Sequence, residues 1–543
     1  MNKRLPIGLI VVVLASALAA APALASQTST QTFGFASRLK GTAGGGGAAP
    51  YGYLPLHKDE FAAAKAAANQ RANVGGGRPN GGGGGGAPII TTPSNVSLSF
   101  NGASQSGVTP PDTTGAIGND RYIEGINQKY AIYSRTGSLI RSGSLSALTG
   151  ISGGIFGYSI SDPQMMWDAK TQRFYYAAVY YDSLSLSDNG IAIGFSETAT
   201  PASSNDFCKY TMPYGDLLPD YPKLGDSSDF LLVGYNQYSA GASTYDGSAV
   251  WWLSKPPSGS TCPAPSVFKY GATGLLHNAD AGHTLSATPV PANLVDDSNG
   301  TGYVVANADL TVPPYNTASG ANFLTVFAVT KDGSGNAAFS APTNVGVASY
   351  SMPANAPEKG SSALIDTLDG RFEASVAAVD PTRNGGSGGI GVWTAHAVFG
   401  GAGTQERWYE IDPTGAGAIF QNGTATDDSR FVWNGAISPD RGNGSLGSSM
   451  AMSVSTSSAT AYPAIAAVWK KGGGAQSALT TLVQATGPNV DFSCSPCRWG
   501  DYSGATPDPL GNGKVWLANQ YNVASSDTSG TDWRTRIFAL TPT

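Results

Sequence analysis

The stretch Asp220-Tyr221-Pro222-Lys223-Leu224-Gly225 decides the fold, because it opens one copy of a unit that recurs along the chain. It precedes an apolar run at 230–238 that closes in Asn-Gln-Tyr. Each unit therefore reads as an aspartate, a short apolar strand, a turn and a second strand. The other copies begin, in chain order, at Pro111-Asp112-Thr113-Thr114-Gly115, at Ser161-Asp162-Pro163, at residues 285, 364 and 435 in less exact form, and at Gly500-Asp501-Tyr502-Ser503.

The spacing of these copies predicts the architecture. The steps from residue 112 to 162, from 162 to 220 and from 220 to 285 are 50, 58 and 65 residues, which suits four strands plus long loops per unit. We expect an all-β chain that closes into a β-propeller of seven four-stranded blades, with the first and last copies side by side. A row of β-sandwiches is the alternative, but it needs linkers between residues 110 and 541, and the sequence shows none.

The composition excludes several classes of protein. Glycine and proline supply 71 + 34 = 105 of the 543 residues and only 13% are charged, which rules out a long coiled coil, a helical solenoid and a disordered polyampholyte. The formal net charge is −6 and no run of lysine or arginine occurs, so nucleic acid and anionic membranes are not expected as partners. We also expect a monomer that does not insert into a membrane.

The sequence upstream of the repeats predicts export. Lys3, Arg4, an apolar run at 7–18 and the small residues of Ala23-Leu24-Ala25 form a signal peptide over residues 1–25. The mature protein is therefore expected to be secreted and extracellular, with the periplasm and the cell surface as alternatives. Residues 26–107 are rich in glycine and alanine and are predicted to be a disordered, flexible linker or pro-segment. The propeller domain is then expected at 108–543.

The four cysteines fit an oxidising compartment, where an even number suggests disulfides. Cys494 and Cys497 can close a tight local loop, which leaves Cys208 to pair with Cys262. A redox Cys-x-x-Cys motif would need the start of a helix, and a zinc site would need two further ligands. Two structural disulfides are the prediction.

Four aspartates of the repeat are the candidate functional groups. Asp112, Asp162, Asp220 and Asp501 begin the expected inner strands, so their carboxylates should meet at one mouth of the central channel. Such a cluster suits Ca²⁺, with Asp112 and Asp162 as ligands, or general acid and base catalysis of glycoside cleavage by Asp220 and Asp501. The third interpretation, which we favour, is that each aspartate accepts backbone N–H bonds at a strand turn.

Three further side chains distinguish individual copies of the repeat. Lys223 follows Asp220, while Arg498 and Tyr502 flank Asp501. Near a channel mouth this set suits an acidic sugar, with Tyr502 as proton donor or acceptor and Arg498 neutralising a uronate. Salt bridges between blades are the alternative, and the one we favour.

Aromatic residues, some of them adjacent pairs, suggest a second way to hold a sugar. Neighbours on a strand face opposite sides, so one of each pair is a candidate for stacking on a sugar ring. Packing between blades is the slightly favoured alternative. The residues concerned are Tyr158, Tyr180, Tyr181, Trp251, Trp252 and Trp499.

A family resemblance rests on four segments and covers residues 110–541. The opening Pro-Pro-Asp-Thr-Thr-Gly-Ala-Ile-Gly at 110–118, the segment at 220–225, Arg-Trp-Tyr-Glu at 407–410 and the closing Arg-Trp-Gly-Asp-Tyr-Ser at 498–503 resemble a widespread group of secreted bacterial proteins. The resemblance implies a propeller with the shape of the sialidase superfamily and implies little about activity, because most of that group has no assigned reaction. The sialidase Asp-box is not present in recognisable form.

These observations support two hypotheses of function. In the first, an exported propeller binds an extracellular polysaccharide or cell-surface glycan at one mouth of its channel; if it is an enzyme, it is a glycoside hydrolase or a polysaccharide lyase. In the second, the chain is a non-catalytic extracellular adhesion or interaction module, with Ca²⁺ as a candidate stabilising ion. No cofactor other than Ca²⁺ is expected.

Overall fold

The computed structural model describes residues 35–37, 54–74, 86–104, 107–152, 158–182, 188–239, 244–257, 261–274, 286–296, 299–415, 417–441, 447–489, 491–494, 496–523 and 533–543. The predicted signal peptide lies outside these ranges. Within them, none of the helices has the length and apolar character needed to cross a bilayer. The elements upstream of the repeats are β1 (Ala36–Ser37), α1 (Lys58–Arg71), β2 (Ile89–Ile90) and β3 (Val96–Ser104).

Seven antiparallel sheets follow one another and form the predicted propeller. In blades 1 to 3 the strands lie in sequence order from the channel outward. Blade 1 contains β4 (Thr114–Ile117), β5 (Arg121–Ile126), β6 (Lys129–Ser134) and β7 (Leu139–Ser144), with α2 (Leu145–Thr149) after it; blade 2 contains β8 (Tyr158–Asp168), β9 (Arg173–Asp182), β10 (Asn189–Ser196) and β11 (Phe207–Pro213); blade 3 contains β12 (Leu217–Asp226), β13 (Phe230–Ser239), β14 (Tyr245–Ser254) and β15 (Tyr270–Ala272).

The remaining blades repeat this order with two additions. In blade 4 the outer position is shared by two strands, β20 and β21, that both pair with β19, and the short β17 pairs in parallel with the inner strand of blade 5. The strands are β16 (Ser286–Pro291), β17 (Asn293–Leu294), β18 (Gly302–Ala308), β19 (Ala321–Lys331), β20 (Ala337–Phe339) and β21 (Thr343–Tyr350); β22 (Phe372–Asp380), β23 (Gly389–Val398), β24 (Gln405–Asp412) and β25 (Ala418–Ala425) in blade 5; β26 (Phe431–Pro439), β27 (Met450–Ser458), β28 (Ala461–Lys470) and β29 (Thr480–Gln484) in blade 6; and β30 (Gly504–Pro507), β31 (Val515–Asn522) and β32 (Trp533–Leu540) in blade 7.

The ring closes through β3, which forms the outer strand of blade 7. Val96 pairs with Leu540 and Phe100 with Ile537 in antiparallel register. Without β3, the outer edge of β32 would present unpaired backbone groups. The propeller therefore starts at Val96, and the boundary expected at residue 108 is corrected. Other parts of the predicted linker also belong to the fold, since β1 and β2 extend the outer edges of blades 2 and 6.

The neighbouring aromatic pairs pack between blades and do not form a sugar-stacking surface. Trp251 and Trp252 are 0% and 4% exposed, and Trp499 is 1% exposed. Tyr180 and Tyr181 are also buried. The large side chains of a charge-poor sequence thus fill the wedge-shaped spaces between sheets, as the alternative interpretation held.

A β-bulge recurs in the inner strands and re-aims side chains at the channel. At one point in the ladder, two successive residue pairs are three residues apart on the inner strand and two residues apart on its partner. This occurs in β8, β12, β16, β22 and β26. In four of these bulges the residue at the bend has a left-handed backbone, with φ between 54° and 56°, and three of the four precede a proline, which suits a position without a ladder hydrogen bond. The four residues are Asp162, Tyr221, Thr288 and Asn434.

Candidate functional site

The first and last copies of the repeat meet at the channel mouth where the inner strands begin. The backbone N–H of Asp501 donates to Oδ1 of Asp112 at 2.7 Å. The other oxygen of Asp112 accepts from Nδ2 of Asn127 at 2.7 Å, and Oδ1 of Asn127 accepts the backbone N–H of Asp162 at 2.8 Å. These bonds join blades 7, 1 and 2 around the channel. Asp112 is 3% exposed, and it accepts a backbone N–H bond as the structural interpretation of the repeat aspartates expects.

Asp162 and Asp220 are the two repeat aspartates that remain partly exposed at this mouth. The Tyr502 hydroxyl donates to Oδ2 of Asp162 at 2.6 Å. Asp220 occupies the position before the bulge residue Tyr221, whereas Asp162 is itself a bulge residue. The assumption that the four aspartates hold equivalent positions in their blades is therefore wrong, although all four surround the same mouth.

The pKa values of three carboxyl groups at the mouth, those of Asp112, Asp220 and Asp501, are raised above their ordinary values. Burial raises the pKa of Asp220 well above its ordinary value, and the negative charge of Asp162 adds to this effect. Burial and the charge of Asp501 raise the pKa of Asp112 in the same direction. For Asp501 burial outweighs the opposing charge of Arg498, and its pKa rises to about 6. Like charges confined to one poorly hydrated site cannot all ionise near neutral pH.

Arg498 lies within this cluster but its charge is already neutralised. Its Nη2 donates to Oδ1 of Asp501 at 2.7 Å and its Nη1 to Oδ2 of Asp366 at 3.0 Å. These two carboxylates raise the pKa of the guanidinium further. The arrangement is the salt-bridge alternative stated above, because Arg498 joins the loop before blade 5 to the loop before blade 7.

Lys223 lies beneath the aspartates, between two tyrosine rings. Its Nζ is 4.0 Å from the ring centroid of Tyr221 and 3.3 Å from that of Tyr502, and it has no hydrogen-bond partner. Such contacts with aromatic faces stabilise a cation. Lys223 is 1% exposed, and burial lowers its pKa well below the ordinary value although Glu373 and three aspartates oppose this effect. It underlies the mouth and does not reach its surface.

Blade 5 contributes a set of charged residues that the repeat did not reveal. Arg371 donates to both oxygens of Asp369 at 2.7 Å, and its guanidinium lies 4.5 Å from the ring centroid of Tyr221. The hydroxyl of Tyr221 in turn donates to the carbonyls of Phe372 and Asp501. A local signal existed, because 366–373 holds four charged residues out of eight in a chain that is only 13% charged.

A small cavity lies below the mouth, between the inner strands. Inner strands of several blades line a cavity of about 60 Å³, and Lys223 and Glu373 are its ionisable lining residues. This volume holds about two water molecules. Glu373 is 4% exposed, and burial together with the charge of Glu406 raises its pKa well above its ordinary value.

Both predicted disulfides are present. Cys208 is joined to Cys262 and Cys494 to Cys497. Among the described residues, the one group of His, Cys, Asp or Glu with ligand atoms within 4.8 Å of one another is Glu197 with Cys208 and Cys262. The two sulfurs of that group are bonded to each other, so it is not a metal centre. A role for Asp112 and Asp162 in binding Ca²⁺ stays a prediction.

Comparisons with known proteins place the chain by shape alone. Neither a protein-family model nor a curated protein matches it, and the family resemblance of the four motifs stays a prediction. Among solved structures, a Hadza microbial sialidase is 9% identical with a TM-score of 0.37, over 79% of this chain and 65% of that one. The extracellular domains 1-2 of Drosophila Semaphorin 1b are 7% identical with a TM-score of 0.38, over 82% and 86%. An exo-beta-1,3-galactanase from Clostridium thermocellum is 11% identical with a TM-score of 0.29, over 80% and 81%. This chain thus spans less than two thirds of the sialidase, and at these values the likeness does not extend to activity.

Proposed function

We propose that this protein is exported, binds an extracellular polysaccharide across the mouth of its channel, and cleaves it with Asp220 as the proton donor. The observation that carries the proposal is the pair formed by Asp220 and Asp162. Both are partly exposed at the mouth, and the pKa of Asp220 is raised by burial and by its neighbour. Glycoside hydrolysis needs one carboxyl that holds its proton and a second that is ionised. The hydrogen bond from Tyr502 stabilises negative charge on Asp162.

The charges around the mouth favour an uncharged polysaccharide over a polyuronate. Arg498 and Arg371, the arginines of this cluster, are paired with Asp501, Asp366 and Asp369. A uronate placed there would meet carboxylates without a free guanidinium. Hydroxyl groups, in contrast, can donate to carboxylate oxygens and accept from a protonated carboxyl. The signal sequence and the two disulfides support action outside the cytoplasm.

A panel of neutral and acidic polysaccharides tests the proposal. Retention on each polysaccharide and release of reducing ends are measured for the wild-type chain and for Asp220→Asn. The matched control is Asp120→Asn, at an exposed turn position of blade 1. We expect release from a neutral polysaccharide, its loss in Asp220→Asn with an unchanged melting temperature, and full activity in the control. Equal release by Asp220→Asn and wild type would refute the role of Asp220, and products with an unsaturated sugar would indicate a lyase.

A specific observation also supports the non-catalytic alternative. Hydrogen bonds at the mouth connect the blades, as they would at a purely structural site. They are formed by Asp112, Asp501, Arg498 and Asp366. In that case the mouth, or another face of the propeller, binds a partner and catalyses no reaction. Retention without release by the wild-type chain, on every polysaccharide of the panel, would identify this second candidate.

A further inference from the structure

A segment upstream of the propeller, residues 54–74, lies against the same face as the candidate site and is here named the cap segment. It contains α1 and forms no strand, since β1 ends before it and β2 begins after it. In the sequence it is flanked by glycine tracts at 44–47, 75–77 and 81–86. None of the described strands of the seven blades lies within the cap segment.

The centre of the cap segment is held by one buried ammonium group. Lys65 is 5% exposed, and its Nζ donates to the carbonyl of Pro353 at 3.0 Å, to Oγ1 of Thr367 at 2.9 Å and to the carbonyl of Leu368. An ammonium has three protons, and each has an acceptor here. The rest of this helix face is small, because Ala64 and Ala68 are the other buried residues of α1.

The same ammonium interacts with the charges of the candidate site. Burial lowers the pKa of Lys65, and the negative charges of Asp366 and Asp369 oppose this shift. Asp366 also binds Arg498, which contacts Asp501 at the mouth. Lys65 therefore adds a positive charge to a cluster in which carboxylates predominate.

The first residues of the cap segment contact blade 3 close to Asp220. The carbonyl of Leu54 accepts the hydroxyl of Tyr238 at 2.7 Å, and the side chain of Leu54 packs in a cluster with Leu218 and Tyr238. Burial raises the pKa of Tyr238, and the negative charge of the nearby Asp220 carboxylate adds to this effect. Between these two anchors, Nε2 of His57 lies 3.4 Å from Oδ2 of Asp309. The cap segment thus runs from the wall beside Asp220 to the loops before blade 5.

We propose that the cap segment is an intramolecular inhibitor of the mouth, which limits access to Asp162 and Asp220 while docked and opens the site when it is released. This proposal rests on the proposed function, since it regulates the same site. The contacts that hold the segment include the ammonium cradle of Lys65, the small apolar helix face and the hydrogen bond at Leu54. The backbone N–H of Asn355 also donates to Oδ1 of Asn69 at 2.8 Å, and the guanidinium of Arg71 lies 4.5 Å from the ring centroid of Phe399. Release of the segment would remove no described strand from a blade, and the sequence is rich in glycine on both sides of the segment.

The test compares two substitutions on α1 in the full chain. Ala68→Asp places a charge on the buried face, where Ala68 is 0% exposed, and Ala67→Asp places the same charge on the exposed face. Access to the mouth is measured by carbodiimide labelling of Asp162 and Asp220 with mass spectrometry. Because burying an unpaired charge is strongly unfavourable, Ala68→Asp should raise labelling by about tenfold while Ala67→Asp leaves it unchanged. Lys65→Met against Lys58→Met, which is exposed, repeats the comparison.

Two further readings separate this proposal from the proposed function. Amide hydrogen exchange reports whether α1 has undocked, and polysaccharide retention reports binding. Faster exchange in α1 without a rise in labelling would overturn the inhibitory role. If labelling increases but no variant is retained on any polysaccharide, the proposed function is refuted. The proposal that the cap segment limits access to the mouth would still stand. Increased labelling together with tighter retention supports both.

Discussion

The stability of the ring closure should depend on the protonation of one buried glutamate. Glu124 on β5 is 0% exposed and accepts the backbone N–H of Ala103 on β3 at 2.6 Å. It thus links blade 1 to the strand that completes blade 7. Burial raises its pKa from the ordinary value of 4.5 to about 7, although hydrogen bonds from Thr535, Ala103 and Tyr133 oppose the shift.

The sign and size of the effect follow from this difference in pKa. Between about pH 4.5 and pH 7 the unfolded chain has lost this proton while the folded chain keeps it, so the free energy of unfolding falls as the pH rises through that window. A rise from 4.5 to about 7 corresponds to about 3 kcal/mol. Glu124→Gln cannot ionise, and its free energy of unfolding should fall by about 3 kcal/mol less than that of wild type between pH 4.5 and pH 8.

Urea unfolding of both chains at pH 5, 6, 7 and 8 measures this difference directly. Other buried carboxyls also make the free energy of unfolding fall as the pH rises. The relevant quantity is therefore the difference between wild type and Glu124→Gln in the slope of this free energy against pH. Glu60→Gln, at an exposed position of α1, is the control and should follow wild type. Identical pH dependence in wild type and Glu124→Gln would refute the reasoning, because the buried carboxyl would then not hold a proton at the seam.

Two other perturbations test the contacts between and beside the blades. Lys255→Met should lower the free energy of unfolding by about 3–5 kcal/mol in urea titrations, because two buried aspartates that its ammonium contacts at 2.8 and 2.7 Å lose their counter-charge. Lys58→Met, at an exposed position, should have no such effect. An equal loss of stability in both variants would contradict this expectation. Removing the disulfide in the double variant C208A/C262A opens a loop with a sequence separation of 54 and should lower stability by about 4 kcal/mol; a melting temperature that does not change on removal would show that the disulfide is not formed in solution.

Much of the architecture follows from the repeat because each blade must bury its faces against its neighbours. Seven related units with turns between them leave few other ways to hide the sheet edges. The closing strand β3 was missed since Val96–Ser104 lies next to a glycine-rich tract and carries no copy of the motif. Its place is fixed by pairing with β32, more than 400 residues away, and no local pattern reports such a contact.

The sequence predicted that the four aspartates surround one channel mouth, and the structure places them there. The predicted alignment of Asp162 with Asp220 was wrong. Aligning the copies on aspartate put Asp162 and Asp220 in equivalent positions. The bulges align them on the residue before proline, so that Tyr221 corresponds to Asp162. A left-handed backbone is unusual for a tyrosine, and sequence propensity therefore argues against the conformation that tertiary packing imposes. Lys65 was missed for another reason, because its acceptors lie about 290–300 residues away.

The position of a bound oligosaccharide would show whether the channel mouth is the binding site. Crystals of the full chain are soaked with the oligosaccharide that the polysaccharide panel identifies, and the sugar is placed by X-ray diffraction. We expect a sugar ring across the channel mouth, with an oxygen about 3 Å from the carboxylate of Asp220 or Asp162. A sugar bound elsewhere, such as the cleft beside Arg407 between blades 4 and 5, with the mouth empty, would contradict it.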